Sequence, residues 1–234
     1  MIRIDHTEVL GWEAVIRGMR NPMNSWDKSD SYWGFREDSS PINPDDELWF
    51  FIGENDLKLM KSLSKAGNDH GKFLRMINVT VDITAPLYWW KEFDTYKVGT
   101  VSNSCSTMHK IHAKEFTLDD FSYEHLCESN IEFIEDVISE LEYWRDKFIN
   151  YEEYCRIVPE FRKRYSKNDC WWQIIQLLPS SYNQKRTIQL NYQVLKTMYH
   201  ARKNHKLDCW RDFCSWIETL PYAKELVCGV AKDI

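Results

Sequence analysis

From Ile77 to Ile83 apolar and polar residues alternate without a break, with Ile77, Val79, Val81 and Ile83 on one side and Asn78, Thr80 and Asp82 on the other. A period of two predicts a strand with one face in a core. Pro86 follows where a helix would begin, and its missing N–H is harmless in a first turn. Leu87, Tyr88, Trp89, Trp90 and Phe93 then crowd too much apolar surface into one stretch for a free exterior. The period changes to a helical one further on. Between Ser129 and Asn150, Ile131, Ile134, Val137, Ile138, Leu141, Trp144 and Phe148 recur at helical spacing, with acidic residues on the other side. Ser129 followed three residues later by Glu132 reads as a capping box.

The remaining elements are shorter. A strand, and then a helix beginning near Glu8, account for Ile2, Ile4, Val9, Leu10, Val15 and Ile16. A helix over 56–66 has Asp56 as its cap, Leu57, Met60 and Leu63 as its stripe, and Gly67 as its stop. Residues 170–178 make a strongly apolar helical piece stopped by Pro179, and a polar-apolar segment runs from Tyr182 to Arg202. A last helix over 207–220 packs Trp210, Phe213, Cys214 and Ile217, with Asp208 as its cap. Asn21 to Pro44 is rich in Pro, Asp and Ser and reads as irregular, tacked down by Trp26, Tyr32, Trp33 and Phe35. The whole is read as one α/β domain over 1–234, with 21–55 a partly irregular insertion.

Composition narrows the function classes. The 234 residues are 43% hydrophobic and 28% charged, an ordinary globular balance. A net charge of −6 disfavours nonspecific duplex binding, so no nucleic-acid partner is expected. No run approaches the roughly 20 apolar residues that cross a bilayer, and no membrane partner is expected either. Seven cysteines form no C-x-x-C pair and no apolar signal segment opens the chain, which points to free thiols in a cytoplasmic protein. The 11 Trp, 12 Tyr and 11 Phe suit subunit contacts or ring-stacking sites as well as a core.

The chemistry gathers after the aromatic stretch, in Ser102, Asn103, Ser104, Cys105, Ser106, Thr107, His109 and Lys110. These groups either line a site or satisfy their own backbone as a Ser/Thr-rich loop. Cys105 and Ser106 are the available nucleophiles, with Lys97, His109 and Lys110 near enough in sequence to supply positive charge. No metal-ligand spacing and no phosphate-binding glycine loop occurs. Arg202 suits a bidentate phosphate contact or a surface salt bridge equally. The run Phe161-Arg162-Lys163-Arg164-Tyr165 reads as a solvated surface.

Over about residues 8 to 220 the chain resembles the flavin-dependent thymidylate synthases. Their G-H-x-x-P-F-E-H segment falls with its first histidine on His70 and its second on Met76, and their following proline on Pro86. The signature R-H-R falls on Thr95, Tyr96 and Lys97. The serine seven residues on is Cys105, or Ser106 with a one-residue gap, and the closing arginine is Thr107. Later, Leu178-Pro179, Asn191 and Arg202 keep the family's intervals, while Gln193, Asp208 and Trp210 depart from its pattern. The resemblance implies an α/β (α+β) fold, a mixed sheet with flanking helices, assembled as a homotetramer whose sites are shared between subunits. It implies methylation of dUMP to dTMP, with FAD as cofactor and methylenetetrahydrofolate and NADPH as co-substrates. By position it makes Cys105 or Ser106 catalytic, places Arg202 and Thr107 on the nucleotide, and places His70, Lys97 and Asn191 on the flavin. The departures from the signature make a noncatalytic or repurposed nucleotide- or flavin-binding homologue, acting as a structural or interaction protein, the alternative.

Overall fold

The computed structural model describes residues 2–35 and 48–229. In chain order the elements begin with β1 (Arg3–Leu10), α1 (Trp12–Arg20), β2 (Tyr32–Gly34), β3 (Trp49–Phe51) and α2 (Glu54–Lys65). Next come β4 (Asn78–Pro86), α3 (Leu87–Phe93), β5 (Val101–Ser104), α4 (Glu128–Ile149), α5 (Tyr151–Ile157) and α6 (Pro159–Arg164). The chain finishes with α7 (Lys167–Leu177), β6 (Asn183–Asn191), α8 (Tyr192–Arg202), α9 (Asp208–Thr219) and α10 (Ala223–Leu226). Four strands form a sheet in the order β1-β4-β6-β5, and β2 and β3 make a separate antiparallel pair. The fold is mixed α/β, a central sheet with flanking helices. No helix among the described residues is long and apolar enough to cross a membrane.

The chain divides into two compact units, the first being Met1–Arg3, Ile83–Thr95 and Asn103–Thr187. Its core is the seam between α4 and α7, where Leu141 and Trp144 meet Cys170 and Ile174, with Phe116, Phe121, Tyr151 and Phe161 around them. The helix at α4 starts two residues earlier than the capping-box reading of Ser129. The Cys127 carbonyl already accepts from the Asn130 and Ile131 N–H groups, so Ser129 lies inside the first turn and cannot cap it. Capping boxes are instead found at α7, where Ser166 and Asp169 satisfy each other's backbone N–H, and at the short 3₁₀ turn Leu118–Asp120, where Thr117 and Asp120 do the same. The aromatic stretch is buried as its composition requires. Trp89, Trp90 and Phe93 of α3 are at most 2% exposed, and Trp90 Nε1 donates to the Gln184 carbonyl at 2.9 Å. Pro86 is the N-cap of α3. The basic run 161–165 buries Phe161, while Arg162 and Lys163 pair with Glu152 and Glu160.

The second unit is Ile4–Asp82, Tyr96–Ser102 and Ile188–Ile234. Here β1 runs to Leu10, and α1 starts at Trp12 rather than near Glu8. The cause is Gly11, held at φ +104°, where a Cβ would meet the Met76 carbonyl oxygen at 2.5 Å. The core of this unit packs Val15, Met60, Leu74, Leu195, Met198, Phe213 and Ile217, all fully buried. Asp208 does not cap α9; the N-cap is Leu207, and Asp208 bonds the adjacent Cys209 N–H.

Trp26, Tyr32, Trp33 and Phe35 do not anchor the irregular segment, for each is 41–60% exposed. Residues 36–47 of that insertion lie outside the described residues. A buried ion pair does the anchoring. Arg20 and Asp56 are 5% and 0% exposed, with Nε to Oδ1 at 2.6 Å. Arg20 also donates to the carbonyls of Ser25 and Lys28, and Asp56 accepts from the hydroxyls of Ser29 and Ser31. Asp56 is therefore not the cap of α2. The first N–H groups of that helix donate to the Asp30 carboxylate, at 2.9 Å from Asn55 and 3.1 Å from Asp56.

Burial alone would push the Asp56 carboxyl up, but hydrogen bonds from Ser31, Ser29 and Arg20 outweigh it and hold the group below 3.8. A carboxyl depressed in the folded state adds stability that is complete above its unfolded value and is lost as pH falls through the folded one. Asp56→Ala leaves Arg20 buried without its counter-charge and should cost about 3–5 kcal/mol in urea unfolding at pH 7. The gap between variant and parent should narrow below about pH 4. A loss under about 1 kcal/mol at pH 7 would show that the pair is not the anchor.

Candidate functional site

In the first unit, β5 delivers Cys105 to its site. The Cys105 N–H donates to the Lys185 carbonyl at 2.9 Å, and Gln184 Nε2 donates to the Cys105 carbonyl at 2.7 Å. Its backbone is thus fixed while its thiol stays exposed. Ser106 partly satisfies local backbone, since Oγ accepts from the N–H groups of Met108 (3.2 Å) and His109 (2.9 Å). Cys105 and Ser106 also line two cavities. One, of about 400 Å³, adds Lys110, Lys114, Phe116 and Tyr182. The other, of about 330 Å³, shares Lys114 and Tyr182 and adds Thr107, Arg3 and Lys185.

Acidic groups are present too, namely Glu115, Asp119 and Asp120, and Lys114 is bonded to Asp120. Burial, with Asp120 and Cys105 nearby, pushes the Tyr182 phenol up, so it stays protonated at neutral pH and can donate a hydrogen bond. A thiol, hydroxyls, a phenol donor and several cations suit a small anionic group such as a phosphate. Tyr182, Lys114, Lys185 and Arg3 could not be singled out from sequence, since nothing in their local pattern separates them from surface residues. His112, half-buried against the Phe148 ring, is held below its ordinary value by burial and by Lys110, Arg145 and Lys167. Among the described residues no group of three His, Cys, Asp or Glu is placed to hold a metal ion.

In the second unit, α8 brings two predicted residues into order. Asn191 is its N-cap, and Oδ1 accepts from the Val194 N–H at 3.1 Å. Arg202 lies in its last turn, donates from Nε to the Tyr96 hydroxyl at 2.9 Å, and sits 4.7 Å from the Trp210 ring centre. The segment 96–102 therefore reaches both ends of α8, for Gly99 lies against its start. Gly99 has φ +78°, and a Cβ there would be 3.0 Å from Asn191 Nδ2 and 3.1 Å from Val194 Cγ2. Lys97 is exposed, as is His70 at the start of the short 3₁₀ turn Gly71–Met76. Tyr96 and Trp210, two positions where the chain departs from the resembled family, both meet Arg202. Thr95, in the first unit, donates its hydroxyl to the Glu92 carbonyl at 2.7 Å.

Asn191 thus has a structural role whatever it binds. Asn191→Ala should cost about 1 kcal/mol in urea unfolding, the usual value of a lost cap. Gly99→Ala should cost more, since it adds a strained left-handed backbone to a crowded Cβ. Equal stability of Gly99→Ala and parent would mean that the segment moves away from α8 at little cost.

No protein-family model matches the chain, and no curated protein matches it. Solved structures do. A crystal structure of the flavin-dependent thymidylate synthase from Helicobacter pylori complexed with FAD and dUMP superposes with a TM-score of 0.62 at 14% identity, covering 99% of both chains. A second crystal structure of the same enzyme with FAD and dUMP gives 0.62 at 14% identity over 97% of both. The similarity runs from end to end while the side chains differ at most positions. The chain has the fold of a flavin-dependent thymidylate synthase along nearly its whole length.

Proposed function

We propose that this protein binds FAD and dUMP and methylates dUMP to dTMP, with methylenetetrahydrofolate as one-carbon donor and NADPH as reductant. The observation that carries the reading is the end-to-end likeness to a synthase solved with FAD and dUMP. Reduced flavin supplies the redox chemistry when bound; the protein holds its ligands in register. Lys97 attracts the flavin phosphates, with His70 and Asn191 beside them. Arg202, held in place by Tyr96 and Trp210, offers its guanidinium to the phosphate or uracil of the nucleotide. Cys105 or Ser106 faces the nucleotide with Thr107, and Lys110 and Lys114 supply local positive charge. We place the protein in the cytoplasm as a homotetramer. Seven cysteines with no disulfide among them support the first, and the resemblance to a family with shared sites supports the second.

The residues fit FAD, but loosely. Lys97 and His70 are exposed, and among the described residues neither side chain makes a hydrogen bond or ion pair, so both are accessible to a ligand. Lysine brings one mobile point charge where an arginine brings a planar fork. The Tyr96 phenol already accepts from Arg202, and the Asn191 carbonyl oxygen already caps α8. These same engagements favour a second reading, a noncatalytic or repurposed nucleotide- or flavin-binding homologue.

Titrating the apoprotein with FAD at low and high salt, followed by flavin fluorescence, tests the flavin site, and turnover of dUMP separates the two readings. The expected result is weak binding that weakens further with salt, since a more exposed ion pair is more screened. Conversion of dUMP to dTMP in the full mixture should follow. No fluorescence change and no heat up to millimolar FAD would remove the synthase reading.

A further inference from the structure

A groove of about 1190 Å³ lies within the second unit, apart from Arg202, Asn191, Lys97 and His70. Trp12, Trp216 and Tyr222 form part of its lining, and Trp33 and Trp49 of the β2–β3 pair form another part. Several of these rings are held in place. Trp12 meets Tyr222 edge-on at 5.5 Å, Trp33 meets Phe50 at 5.3 Å, and Trp216 Nε1 donates to Thr7 Oγ1 at 3.1 Å. Trp33 and Trp49 are nevertheless 54% and 43% exposed.

Two further features set this groove apart from a chance surface hollow. Tyr222 has φ +55°, a left-handed backbone that a bulky side chain rarely adopts and that recurs where a ligand is clamped. The ionisable side chains in the lining, among the described residues, are Glu8 and Glu13, besides Tyr222 itself. Glu13 also meets Arg17 at 3.4 Å on its own helix, a surface pair of small value. Aromatic rings present negative faces and carboxylates add negative charge, so the lining complements a cation with an apolar body. An anionic nucleotide or flavin phosphate is disfavoured there.

We propose that this groove binds a small, free quaternary ammonium compound, its methylated head among the aromatic rings and Glu8 and Glu13 supplying the counter-charge. The proposal stands independently of thymidylate synthesis. Four tryptophans in the lining make intrinsic fluorescence the readout, with choline as probe and 3,3-dimethyl-1-butanol as its uncharged isostere. Choline should give a saturable change and bind about tenfold more tightly than the isostere. Trp33→Ala should weaken both ligands, and Glu13→Gln should shrink the choline advantage severalfold while leaving the isostere unchanged. Glu13 is half-exposed, so this variant should keep the parent's circular dichroism and unfolding midpoint. Equal affinities for the two probes would reduce the groove to an unselective apolar surface and overturn the proposal. So would no saturable response to either. Self-association in light scattering that Trp33→Ala abolishes, with no choline response, would assign the groove to a second copy of the chain and equally overturn it.

Discussion

The alternation of β4 is the constraint on which the rest depends. Ile77, leading into the strand, and Val79, Val81, Ile83 and Ala85 within it have no exposed surface. Each large apolar side chain so buried contributes about 1.5–3 kcal/mol relative to exposure. A one-residue slip would turn all of them to the wrong face, so the register of the sheet is strongly specified. The strand also has neighbours on both edges, β1 and β6, and so no unpaired edge. Its two ends position a helix each. Pro86 turns the chain into the buried tryptophans of α3, and the Ile77 carbonyl accepts from the Tyr192 N–H where α8 begins.

That placement explains why some spacings survive where side chains do not. Pro179 follows the end of α7, twelve residues before Asn191, and the interval is filled by the turn and by β6. Eleven residues separate Asn191 from Arg202, and they are α8 itself. A strand between two helices and a capped helix of fixed length have geometric requirements, and a length change in either would disturb the packed core. The kept intervals are therefore those of a scaffold, whatever their further use. The signature triplet has no such support. Thr95, Tyr96 and Lys97 lie between α3 and β5, where a side chain can change and find a new bond, as Tyr96 has with Arg202.

Charge is handled differently in the two units. Around Cys105, cations and carboxylates are mixed at an open surface, where solvent screens them and no single pair decides stability. The pair of Arg20 and Asp56 is buried, with hydrogen bonds to both partners that offset their desolvation. One arrangement leaves charge accessible to a ligand; the other uses it to hold an irregular segment in place.

The sequence by itself determined the elements whose signal is local. The period of two over 77–83, the helical stripe from Ile131 to Phe148, and the stops at Gly67 and Pro179 each arise from backbone geometry within a few residues. It also supplied the order of His70, Asn191 and Arg202 from which the fold was legible by resemblance. Only the tertiary structure decided matters that depend on residues far apart in the chain. Asp56 looks like a helix cap until Arg20, thirty-six residues away, is brought to it at 2.6 Å. The break after Leu10 depends on a carbonyl at Met76, and the role of Gly99 on a helix that begins at residue 192. Tyr182 and Lys114 join Cys105 at one cavity although no spacing links them. Exposure of Trp33 and Trp49 was equally invisible, because composition reports how many aromatic rings there are and not which of them the fold leaves uncovered.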